Sequence, residues 1–180
     1  MKKKVVWITE TAALIALLVV LQSVTKPLGQ LVTGSCVNAV LAIAVLMVGM
    51  GSGLTVALVS PVFAYLFGIA PNLLTVPVIM AGNAVFVVLL QVLAHQQLWR
   101  NVIAVAVAAI GKFAVLYALV NWVICGVAAQ TLLAQGLLKT PMLKVLPATF
   151  SWPQLATALI GGTLAMLIVP VLKKALRSTQ

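Results

Sequence analysis

The sequence predicts an all-α integral membrane protein of six transmembrane helices, and three observations carry that prediction. Of 180 residues, 64% are hydrophobic and only 7% are charged. A soluble domain is usually about half apolar and about a quarter charged. The apolar residues also fall into six blocks, each bounded by glycine, proline or charge. Finally, the lysines and arginines flank those blocks, with Lys112 as the exception. Because a hydrocarbon core takes roughly 20 apolar residues per helix, this length holds about five to seven spans and no separate soluble domain.

The first block, 7–24, follows Lys2-Lys3-Lys4. No Ala-x-Ala-like cleavage site precedes Lys26, so it reads as a retained helix and not as a signal peptide. The second and third blocks, 36–48 and 54–69, are joined by Gly49-Met50-Gly51-Ser52-Gly53, whose glycines permit a tight turn. The fourth block is 77–94, the fifth 101–125 and the sixth 152–172. Between the last two lies 126–151, leucine-rich and ending in Pro147 and Phe150-Ser151-Trp152-Pro153. A long apolar connection of this kind reads as a packed lid. The whole of 1–180 is read as one transmembrane domain.

The charges orient the bundle. With the amino terminus inside, six spans return the carboxyl terminus inside. The cytoplasmic ends then hold Lys2, Lys3, Lys4, Arg100, Lys173, Lys174 and Arg177, and the outer segments hold Lys26, Lys139 and Lys144. That asymmetry satisfies the positive-inside rule, and the reverse orientation violates it. Both termini are expected to be cytoplasmic. The net charge of +10 is therefore read as topology and attraction to anionic membrane lipid, not as nucleic-acid binding.

The missing residues exclude several chemistries. Glu10 is the one acidic residue and His95 the one histidine, both placed near the inner boundary on different helices. Paired-carboxylate catalysis is unavailable to such a chain, and no cofactor or conventional metal site is expected. No carboxylate lies deep in a helix, against an ordinary proton-coupled carrier. No Gly-x-x-x-x-Gly-Lys-Ser/Thr loop is present, so uphill transport would be powered by a partner. Cys36 and Cys125 are isolated and read as packing residues.

Lys112 lies near the middle of the fifth block, where a cation costs roughly 2.5–3.5 kcal/mol and needs an interior partner or a wet cavity. Two readings stand for it: a cation on a pocket floor meeting an anionic or carbonyl group, or a structural lysine bonded to helix carbonyls or snorkelling to an interface. The other candidate substrate-binding residues are Asn38, Asn72, Asn83, Tyr117 and Asn121, with interhelical hydrogen bonding as the alternative. Asn38 and Asn83 fall toward the outer ends of their blocks. Tyr117 and Asn121 share a face by i,i+4 spacing, away from Lys112. Ala12 and Ala16 form a small-xxx-small pair on the first helix, a face that packs internally or docks a partner. Ala104/Ala108, Ala114/Ala118, Ala158/Gly162 and Gly161/Ala165 show the same spacing.

Taken in order, Thr11-Ala12-Ala13-Leu14-Ile15-Ala16-Leu17, Thr33-Gly34-Ser35-Cys36-Val37-Asn38-Ala39, Gly53 to Pro61 and Phe150-Ser151-Trp152-Pro153-Gln154-Leu155 resemble the substrate-binding S component of energy-coupling factor (ECF) transporters. The resemblance covers essentially the whole chain. It implies a bacterial, multi-pass subunit without its own ATPase, which captures a vitamin at the outer face. It also implies docking through Ala12 and Ala16 onto a transmembrane coupling subunit carried by two ATPase subunits. The ligand expected first is a corrinoid, and pantothenate or another small vitamin is the alternative. A corrinoid such as cobalamin would rest on apolar walls and Asn38, Asn72 and Asn83 under the 126–151 lid; a small anion such as pantothenate would use Lys112. The rival to both is an accessory subunit that binds no ligand.

Overall fold

A computed structural model describes residues 2–94 and 98–177. His95 lies outside the described residues. The first helix, α1 (Lys2–Thr25), ends in a short 3-10 turn, Lys26–Leu28, and is followed by α2 (Gln30–Met47) and α3 (Met50–Leu66). Next come α4 (Thr75–Leu93) and α5 (Leu98–Ala118), which continues without a break into a π-helical segment, Leu119–Val127. Two short helices, α6 (Ala129–Ala134) and α7 (Met142–Thr149), lead into α8 (Trp152–Arg177). Among the described residues, five segments are long and apolar enough to cross a membrane: Lys4–Leu28, Gln30–Met47, Thr75–Leu93, Arg100–Val127 and Met142–Ala175. The sixth apolar helix, α3, has 17 residues. At about 1.5 Å per residue it reaches roughly 25 Å, close to the thickness of a hydrocarbon core.

Most helix boundaries shift by a few residues from the sequence expectation, and two of the shifts have clear physical reasons. The second helix begins at Gln30 instead of residue 36, because its polar first turns satisfy themselves: Thr33 Oγ1 donates to Gly29 O at 3.1 Å and Ser35 Oγ to Leu31 O at 2.7 Å. The third helix begins at Met50, so Gly51-Ser52-Gly53 is helix and not loop. The reversal falls instead on Gly49, whose φ of +110° suits a residue without Cβ. Gly53 serves close approach: a Cβ there would lie 2.8 Å from both Val45 Cβ and Val87 Cγ1.

The main core is formed by Leu18, Leu41, Val45, Val56, Phe86, Leu90 and Ala108, drawn from α1 to α5, and closes against Ala158 and Ala165 of α8. Small residues let α8 sit tightly on α2 and α5. A methyl added at Gly161 would lie 2.7 Å from Ala39 N, and one at Gly162 2.5 Å from Val105 Cγ1. A second cluster, with Val78, Leu116, Val120, Ile124, Leu138, Leu146 and Phe150, seats the 126–151 connection on the ends of α4 and α5. Burying those apolar side chains is what orders a segment otherwise free to sample many conformations.

Three connections meet at one end of the bundle. Lys26 Nζ donates to Phe67 O at 2.6 Å, Asn72 Nδ2 to Leu137 O at 2.9 Å, and Gln30 Nε2 to Thr149 O at 3.1 Å. The turns after α1 and α3 thus lie beside the segment between α5 and α8. By contrast, α1 leaves much of its length uncovered. Ala12 and Ala16 are exposed, in line with exposed Ile8 and Val20 at i,i+4 spacing.

Candidate functional site: a polar string and its cavity

Lys112 is carried to the interior by an α5 face of small residues. Ala104, Ala108 and Ala109 beside it are buried, which lets α2, α4 and α8 approach closely enough for their polar side chains to reach its ammonium. Only 3% of Lys112 is exposed. Its Nζ donates to Asn38 Oδ1 at 2.6 Å and to Asn83 Oδ1 at 2.7 Å, and lies 5.8 Å from the centre of the Phe86 ring. The ring face contributes cation–π attraction. Among the described residues no carboxylate partners this lysine.

Because an ammonium only donates, both amides must present oxygen to it. Their nitrogens then point onward. Asn38 Nδ2 donates to Gly34 O at 2.9 Å and Thr157 Oγ1 at 3.3 Å; Asn83 Nδ2 donates to Ala57 O and Ser60 Oγ, each at 3.4 Å. Ser60 in turn accepts, through its carbonyl, from Gln22 Nε2 at 3.2 Å. The result is one polar string, Gln22–Ser60–Asn83–Lys112–Asn38–Thr157, with one residue from each of α1, α3, α4, α5, α2 and α8. In a medium where unpaired polar groups cost several kcal/mol, each member is held in place by the next.

Beside the string lies a cavity of about 300 Å³. Its buried end is formed by Gln22, Asn38, Ser60, Asn83 and Lys112. Its other end is formed by Lys26, Gln30, Gly68 and Pro71, which are exposed, and Thr149, Phe150 and Gln154 line the side nearest α7. The cavity opens where the three connections meet.

Asn38, Asn83 and Lys112 are therefore brought together. The other three candidates stand elsewhere. Asn72 is a loop organiser: its Oδ1 accepts from Leu74 N at 3.0 Å while its amide holds Leu137 O, and it does not line the cavity. Tyr117 is 41% exposed and its ring packs on Phe113 with centroids 5.7 Å apart. Asn121 Nδ2 is bonded to Tyr117 O at 3.0 Å, within its own helix. Sequence reasoning missed Gln22 and Thr157. Gln22 carried a usable signal, an amide within an otherwise apolar stretch. Thr157 carried none, since threonine is common in such helices.

The family model described as "ECF transporter, substrate-specific component" matches residues 7–173. No curated protein and no solved structure matches the chain. With nearly every residue of the bundle inside that match, the chain belongs to the substrate-specific component family of ECF transporters, multi-pass membrane proteins that act as substrate-binding transport subunits.

Proposed function

We propose that this subunit captures a small vitamin from outside a bacterial cell and delivers it with a transmembrane coupling subunit and two ATPase subunits. The observation that carries the reading is the enclosed polar end of the cavity, Lys112 with Asn38 and Asn83, open toward the end where three connections meet. Six crossings with both termini cytoplasmic would put that end outside, and the contacts joining the three connections support the alternation this needs. The exposed Ala12 and Ala16 supply a smooth face for the coupling subunit.

Volume supports a pantothenate-sized solute ahead of cobalamin. About 300 Å³ stands at the lower limit for ligand pockets, which run from about 300 to 1,000 Å³ for drug-sized molecules. A corrinoid is several times larger than a cavity of about 300 Å³. The 126–151 segment acts in this reading as the wall and cover beside Phe150.

The test is mass spectrometry of small molecules that accompany the detergent-solubilised protein, paired with uptake assays. A recovered vitamin, with uptake only when the coupling and ATPase subunits are co-expressed, is the expected result. Uptake by this chain alone would overturn it, and so would reproducible absence of any bound solute, which is the outcome an accessory subunit gives.

A further inference from the structure

Two residues that line the same cavity each keep an unfilled hydrogen-bonding site, and the two are of opposite kind. Lys112 has three donor protons, and two are held by Asn38 and Asn83; the third has no partner among the described residues. Gln22 is 1% exposed, and its Oε1 is buried without a hydrogen-bond partner. The orientation of that amide is fixed: rotating it would set Oε1 against the carbonyl of Ser60, which now accepts from Nε2 at 3.2 Å. A buried acceptor left empty is costly and calls for an explanation; Gln91 Oε1 is the other such atom among the described residues, and Gln91 does not line the cavity.

We infer that the occupant is a small organic acid that also carries a hydroxyl or amide N–H, its anionic oxygen on Lys112 Nζ and its donor on Gln22 Oε1. This rests on the binding-pocket reading above and gives it a chemical class. Both groups line one cavity and are separated along the polar string by only Ser60 and Asn83, so a molecule of this cavity's size reaches both. The charge requirement follows from what surrounds the ammonium. The ionisable residues lining the cavity are Lys112 and Lys26, with no acid among them. Glu10 stands twelve residues before Gln22 on α1, about 18 Å away along the helix. A bound anion supplies the counter-charge that the protein withholds; a cation meets like charge at both ends of the cavity.

The assignment is tested by native mass spectrometry of the detergent-solubilised full chain with an equimolar library of short carboxylic acids. Each hydroxy acid is accompanied by its primary amide, its deoxy analogue and the corresponding amine. Retention of the hydroxy acid over its amide and over its deoxy analogue, each by on the order of tenfold, is expected from the strength of hydrogen bonds to charged and buried groups. Lys112→Met should erase the preference for acid over amide, and Gln22→Met the preference for hydroxy over deoxy. Equal or better retention of amides or amines by the unmodified protein overturns the assignment and leaves the pocket standing. Retention of no library member by the unmodified protein overturns both. Because the matched pairs are read on the unmodified chain, the result stands even where a variant fails to fold.

Discussion

Lys112 and Asn38 lie 74 residues apart in sequence and 2.6 Å apart in space, and this contact ties α5 to α2 at the centre of the bundle. Asn38→Leu removes an acceptor from a buried ammonium and strands one of its donors. We expect a loss of about 1.5–3 kcal/mol, the usual weight of a hydrogen bond to a charged group. Thermal or denaturant unfolding in detergent measures it, and a change below a few tenths of a kcal/mol would mean that the contact carries no stability.

Asn38→Asp makes the opposite change. It places a carboxylate against Lys112 and so supplies internally the counter-charge assigned to the bound acid. The ammonium gains a charged partner, while the second carboxylate oxygen loses the bond that Asn38 Nδ2 makes to Gly34 O. Thermal unfolding is therefore read beside retention of small carboxylic acids, which should fall on the order of tenfold or more. Undiminished acid retention would detach the anion from Lys112.

Gly161→Ala tests the crossing of α2 and α8. The added methyl would meet backbone, 2.7 Å from Ala39 N, as well as Asn38 Cβ at 2.7 Å. Backbone cannot swing aside as a flexible side chain can, so the helices must separate, at a cost of about 1–3 kcal/mol. The same displacement moves Asn38 and should weaken solute retention, which equilibrium dialysis would read beside the melting temperature.

Tyr117→Phe and Asn121→Ala should leave solute retention within about twofold of the unmodified protein, the scatter expected for substitutions away from a site. Tyr117 faces outward and Asn121 is spent on its own helix. A marked loss from either would place the end of α5 and the start of the π-helical segment in the binding site.

Ala12→Leu and Ala16→Leu add bulk to an exposed helix face. Solute retention by the isolated subunit should be unchanged, while uptake with co-expressed coupling and ATPase subunits should fall severalfold or more, since small residues are what let membrane helices approach closely. Equal uptake would move the docking surface elsewhere.

The helical bundle was legible because hydropathy and charge placement are local properties of the chain. Polar stretches hid its edges: Thr33 and Ser35 bond back to the carbonyls four residues before them and therefore do not interrupt the helix. Lys112 announced itself as a charge within an apolar run, and its two asparagine partners as amides in similar surroundings. Tyr117 and Asn121 share the outward side of their helix, as their spacing implies, while Leu116, Val120 and Ile124 take the inward positions at the same spacing. Gln22 and Thr157 acquire their roles only from helices that are neighbours in three dimensions, which no local pattern records.

The polar string has a property that none of its bonds has singly. It is open-ended, running from Gln22 to Thr157, and the ammonium of Lys112 is its single junction. Cut there, it parts into a three-helix piece, α1, α3 and α4, and a two-helix piece, α2 and α8. A molecule bonded at once to Lys112 and Gln22 would turn the first of these stretches into a closed ring. Loading the cavity then changes the connectivity of the interior, and the bundle that carries a solute is braced differently from the one that has released it.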